Sequence, residues 1–127
     1  FILINARVVD YPIVYCNDGF VQMSGFYRVE VMQKPGSVPF MCGELTNREA
    51  VKRMEHAFEV QESEQLEILL YKKNKTPLWL LLNIAPVRNE KEIIVLFVLT
   101  FKDITAWKQP IEDDVSKGFS FFIHPLL

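Results

Sequence analysis

With 127 residues, half of them hydrophobic and ten of them Phe, the chain is large enough for one packed domain and too apolar for disorder. Its formal charge of -2, with no basic block, argues against a reader of nucleic acid or of a membrane surface. The longest unbroken apolar run, 93–99, is too short to cross a bilayer, and no signal-peptide pattern is visible. Two cysteines, Cys16 and Cys42, make no disulfide framework, which points to a reducing compartment. Residue 1 is Phe rather than Met, so the chain is expected to be a piece of a longer one.

"FILINARVV" is apolar and β-rich and reads as a strand. "PIVYCN" follows a short corner punctuated by Pro12, and the two runs predict a hairpin. "NDGFVQMSG" predicts a short helix, capped by Asn17 or Asp18 and stopped by Gly25 in a left-handed turn. "YRVEVMQ" predicts a second helical turn, halted before Pro35 and Gly36, and 37–45 reads as irregular. Thr46 with Glu49 makes a capping-box pattern for the clearest helix. In it Ala50, Val51, Met54, Ala57 and Phe58 share one face. "EQLEILLYKK", "PLWLLLNIAPVR" and "IIVLFVLTFKDIT" are three strands joined by short turns, an antiparallel meander. The expected fold is α+β: strands on both sides of a helical insert, in one sheet. The domain is expected over 1–105. Residues 106–127, with an acidic knot at Glu112, Asp113 and Asp114 and an apolar end, read as a linker and tail of uncertain structure.

The order of elements and the words "PIVYCNDGFVQMSGF", "LYKKNKTPLW" and "DIT" resemble a PAS domain, a five-stranded antiparallel sheet with short helices and one longer helix over one face. A closer resemblance rests on "INARVVD", "YCNDGF", "EVMQKPG", "FMCGELT", "YKKNKTP", "IAPVRNE" and "KQPIEDD". Together these are similar to the N-terminal PAS domain of ether-à-go-go voltage-gated potassium channels, over Phe1 to about Gly118. "KQPIEDD" and "YKKNKTP" favour the eag-type branch over the erg-type. "FSFFIHPLL" departs from the basic, helix-forming segment that follows the domain in the family, so calmodulin recognition is not carried over.

The chemically active relatives of PAS domains are flavin-binding light sensors with the motif Asn-Cys-Arg-Phe-Leu-Gln-Gly. Laid without gaps on "SVPFMCG", it matches at Phe40 and Gly43 but puts Val38 at the nucleophile's position. The positions that bind the flavin ring on the sheet appear as Leu70, Leu80 and Phe101. No cofactor is therefore expected, and Cys42 reads as a small apolar filler, with a redox or haem role as the alternative. If a cavity exists, Val38, Phe40, Cys42, Leu70, Leu80 and Phe101 would line it; a filled core is the plainer reading. His56 has no partners for a metal, Ser24 sits in no nucleophile elbow, "KPG" and "SGF" are too poor in glycine to cradle phosphate, and no residue is assigned to catalysis.

Function is then expected on the outside. In the first strand Phe1, Leu3, Asn5 and Arg7 alternate with Ile2, Ile4 and Ala6, and Leu96 and Val98 likewise oppose Phe97 and Leu99. One helix layer covers only one of these faces, and an exposed apolar face marks a partner site unless flanking residues cover it. The resemblance implies that the partner is the cyclic nucleotide-binding homology domain of the same channel, on its own or a neighbouring subunit, and that docking tunes gating at the cytoplasmic face of the plasma membrane. It implies contacts at Phe1, Leu3, Val14, Tyr15 and Leu96, with Arg28 pairing an acidic residue of the partner and Asn5 and Arg7 near by. Two alternatives stay open: a sensor holding a small ligand in an internal apolar cavity, and a homo-oligomer, weak at most, paired through the same sheet face.

Overall fold

The computed structural model describes residues 1–112 and 120–123, with the backbone alone for 109–112 and 120–123. Residues 113–119 and 124–127, Asp113, Asp114 and His124 among them, lie outside the described residues. Five strands, β1 (Ile2–Asn5), β2 (Ile13–Cys16), β3 (Glu64–Tyr71), β4 (Pro77–Arg88) and β5 (Ile94–Asp103), form one sheet in the order β2-β1-β5-β4-β3. Its described pairings are all antiparallel. Strands β6 (Gln109–Glu112) and β7 (Ser120–Ile123) pair with each other, within the stretch read as linker and tail.

Between β2 and β3 run α1 (Asp18–Ser24), α2 (Arg28–Val31), a 3₁₀ turn at Pro39–Met41 and α3 (Arg48–Val60). Local chemistry sets the limits of α1. The Asn17 side chain accepts from the Phe20 N–H at 2.9 Å, and Gly25 closes the helix at φ 76°, its N–H donating to the Val21 carbonyl. In α3 the residues Ala50, Met54, Ala57 and Phe58 are buried, while Arg48, Lys52, Arg53, Glu55 and Glu59 are exposed.

The cap of α3 differs from the capping-box expectation by one residue. Asn47, not Thr46, is the N-cap, its side chain accepting from the Glu49 N–H at 2.8 Å. Thr46 is buried instead: its hydroxyl accepts from the Gly43 N–H at 2.9 Å and donates to the Leu69 carbonyl at 2.8 Å. The hydroxyl was drawn off the helix because the edge of β3 offers it an otherwise open carbonyl.

The core lies between the helices and one face of the sheet. Ile2, Ile4, Cys16, Phe97, Leu99, Leu80 and Leu82 are fully buried there. Tyr11, Phe58 and Phe97 stack with ring centroids 5.1–6.3 Å apart, joining the first loop and α3 to the central strand. No buried side-chain polar atom among the described residues lacks a hydrogen-bond partner.

Replacing Thr46 by Val keeps the volume but strands one donor and one acceptor. A loss of about 1–3 kcal/mol in urea unfolding is expected, against about 1 kcal/mol for Asn47→Ala. Equal losses for the two would contradict the assignment of Thr46 as a core tie.

Candidate docking surface

The side chains of β1 divide by parity: Ile2 and Ile4 point into the core, so Leu3 points out. Register then builds the outer face row by row. Tyr15, Leu3, Val98 and Ala85 lie across β2, β1, β5 and β4. Asn5, Leu96 and Val87 form the next row. On the other side of the first row, Thr100, Asn83 and Gln65 form an exposed polar row. Phe1 and Tyr15 are 40% and 44% exposed with their rings 5.8 Å apart, so two aromatic side chains stand at the rim of an apolar patch.

Beyond the polar row the same face is sealed by the chain itself. Ile104 and Thr105 continue the ladder beside Trp79: the Ile104 N–H donates to the Trp79 carbonyl at 2.9 Å, and the Trp79 N–H donates to the Thr105 hydroxyl at 3.0 Å. Lys108 then bonds Glu67 at 2.6 Å and places its Nζ 4.5 Å from the centre of the Trp79 ring. Lys102 stands in the same way over Trp107, at 4.6 Å. Ile104 and Leu69 are buried as a result. The seal covers the β3–β4 end of the face; among the described residues nothing comparable lies over the β2-β1-β5 end, where Phe1 and Tyr15 are exposed and Leu3, Leu96 and Val98 are half-buried.

Both edges of the sheet are also occupied. The Thr46 hydroxyl and the Arg53 guanidinium donate to the Leu69 and Gln65 carbonyls of β3. On β2, Ile13 exchanges hydrogen bonds with the backbone of Gln33 and Lys34. Strand addition at those positions is blocked.

Of the residues named from the sequence, Phe1, Leu3, Tyr15, Asn5 and Leu96 come together on this face. Val14 is the extra residue of a bulge: Leu3 opposes Tyr15 while Ile4 opposes Ile13. Arg7 lies just past the end of β1, exposed, and its N–H donates to the Asn5 side chain at 2.8 Å. Arg28 is on α2, outside the sheet, with Nη2 donating to Asp18 at 2.6 Å and Nε to the Cys16 carbonyl at 3.2 Å. Its pKa is held above the ordinary guanidinium value, chiefly by the bond to Asp18. It ties α2 to the end of β2, next to Tyr15, and presents its charge from there. Sequence reasoning named neither Val87 nor Ala85. The alternation of "LLNIAPV" carried the signal, but which half of β4's outer face stays bare depends on the distant Lys108.

The residues considered for a cavity are dispersed. Val38, Leu70 and Leu80 are fully buried in the core. Phe40 and Cys42 line a surface pocket with Phe26 and Tyr71, and Phe26 meets Phe40 edge-on at 5.1 Å. Phe101 lies at another groove, its ring 5.3 Å from that of Phe20. The segment "SVPFMCG" thus works as a shell piece: Val38 turns at φ 50° before Pro39, and Met41 drops into the core. A flavin ring against Leu70 and Leu80 would leave its polar edges unpaired at about 1–3 kcal/mol each. Those residues do not fit that cofactor. Among the described residues no group of three or more His, Cys, Asp or Glu converges, and no helix is long and apolar enough to cross a membrane.

The PAS domain family model matches residues 1–106. Over 122 residues the chain is 55% identical to the voltage-gated delayed rectifier potassium channel KCNH1 of Rattus norvegicus, covering 96% of this chain and 13% of that protein. Over 137 residues it is 51% identical to the potassium voltage-gated channel protein eag of Drosophila melanogaster, covering 93% of this chain and 12% of that protein. The crystal structure of the PAS domain from the fruit-fly ELK potassium channel superposes with a TM-score of 0.80 at 41% identity, covering 82% of this chain and 85% of that one. The chain spans only a small part of the curated relatives that it matches.

Whether a thiol here is fit for chemistry depends on its surroundings. Cys16 is fully buried. Cys42 is half-buried with Sγ 3.8 Å from the Val38 carbonyl, and burial pushes its pKa up, with Arg48 opposing and Glu55 adding to the rise. A raised pKa disfavours the thiolate at neutral pH. Iodoacetamide at pH 7.5 should therefore modify Cys42 more slowly than free cysteine, gaining speed only as the pH climbs past the ordinary thiol range. Peptide mass analysis reads this, and labelling at the free-cysteine rate would restore the redox reading.

Proposed function

Because the chain belongs to the PAS domain family, we propose that it is the PAS domain of a voltage-gated potassium channel and works as a docking module rather than as a sensor. Its bare sheet face would seat on another folded part of the channel, the cyclic nucleotide-binding homology domain, at the cytoplasmic side of the membrane. The observation that carries this is the unevenly sealed outer face. Residues 104–108 cover one end with an apolar turn and the paired Lys108, while Phe1, Leu3, Tyr15, Leu96 and Val98 are left without any such cover among the described residues.

The energetics suit regulation. Phe1 and Tyr15 keep 40% and 44% of their surface exposed. Burying the remaining ~80 Å² of each aromatic would contribute about 2 kcal/mol apiece. Association costs would consume much of that sum, leaving a modest affinity. A modest affinity is enough, because what biases a gate is the difference in affinity between two conformations, and about 1.4 kcal/mol of difference shifts their ratio tenfold. Arg28 would orient the partner: its Nη2 lies against Asp18, and side-chain exposure of 47% leaves the group open to a second acid.

Tyr15→Ala is expected to weaken binding to the isolated homology domain about tenfold with an unchanged circular dichroism spectrum. Thr100→Ala, in the polar row, should leave binding as it was. Full affinity in both Tyr15→Ala and Phe1→Ala would remove the docking reading. A concentration-dependent mass abolished by Tyr15→Ala, with no homology-domain binding, would put a second copy on the face instead.

A further inference from the structure

We propose that a groove on the helical side of the sheet, between the β1–β2 loop and α3, receives a basic, amphipathic peptide segment of a partner. The groove holds about 400 Å³ and is separate from the bare sheet face. One wall is fixed in advance. Asp10 and Tyr11 both take left-handed backbone, at φ 67° and 50°, although neither is glycine. The Tyr11 N–H donates to the Val8 carbonyl, and its phenol donates to Glu59 across the groove at 3.1 Å. Gly36 leans on the same loop so closely that a Cβ there would stand 2.6 Å from the Tyr11 carbonyl oxygen. A wall held this way loses little entropy on binding.

The surface chemistry selects the occupant. Val8 and Val9 stand at the rim 48% and 85% exposed, two neighbouring apolar side chains in a loop, where polar residues are usual. Asp10, Glu55 and Glu59 surround them against a single Arg7, and none of the three acids holds an ion pair among the described residues. Elsewhere Asp18, Glu30 and Glu64 each hold a base. A second copy seated here by a two-fold axis would bring acids against acids. An anionic membrane surface would be repelled as well. A segment with lysines or arginines flanking an apolar residue answers both the charge and the valines.

The test titrates a labelled peptide, Leu and Lys at amphipathic-helix spacing, into the 127-residue chain. A twin carrying Glu for Lys is the control. The Lys peptide should bind and its twin should not. Glu55→Lys should cost about tenfold in affinity and Val9→Ser several-fold, both positions being exposed enough to spare the fold. Amide shifts should centre on residues 8–11 and 55–59, and Tyr15→Ala should change nothing. Equal binding of the twin, an unaffected Glu55→Lys variant, or shifts centred on Tyr15 would each overturn the proposal. So would a mass that rises with protein concentration and falls back in Val9→Ser, which would name a second copy as the occupant.

Discussion

Side chains on a strand alternate between two faces, and β1 is apolar at both phases. Ile2 and Ile4 satisfy one phase by entering the core beneath the helices. Leu3 and Phe1 belong to the other, and the helical layer cannot reach them. The sheet has two faces, and the helices cover one of them. Among the described residues the chain closes part of the second face with its own residues 104–108 and leaves the rest without such a cover. In an antiparallel sheet the second face would ordinarily be polar. Here Val98, Leu96 and Val87 extend the apolar rows of β1 across two more strands.

The interior carries a complementary lesson. Val38, Leu70 and Leu80 fill the interior with side chains that carry no polar atoms, and among the described residues the buried polar side-chain atoms already have partners. A buried hydroxyl such as that of Thr46 ties a loop to β3 by accepting one hydrogen bond and donating another. Cys42, with its thiol pushed toward the neutral form, is in keeping with that economy. The chain is similar over most of its length to potassium-channel proteins.

Much of the fold was legible because local rules decide it. Asn17 and Gly25 bracket α1 through bonds within a few residues, and β4 was readable to its last residue from alternation and the Pro77 start. Where sequence reading slipped, a distant group had intervened. Thr46 and Asn47 are both good caps, and a carbonyl 23 residues away chose between them. The candidate patch was legible in phase but not in extent. Phe1, Leu3 and Tyr15 follow from parity, whereas its far boundary depends on Lys108 meeting Glu67 41 residues earlier. The left-handed pair at Asp10 and Tyr11 gave no sequence signal, since neither residue is glycine and the loop is held by Gly36 from another segment.

The register of β1 on β5 also settles a matter of geometry. Ile2 opposes Leu99, so the start of β1 and the finish of β5 lie at the same end of the sheet. The polypeptide thus enters β1 and leaves β5 side by side, on neighbouring strands. Phe1 ahead of β1 and the turn at 104–108 that follows β5 therefore share one doorway and are steered together, much as two reins are held in one hand. A shift of the body against whatever it touches would reach both of them at once.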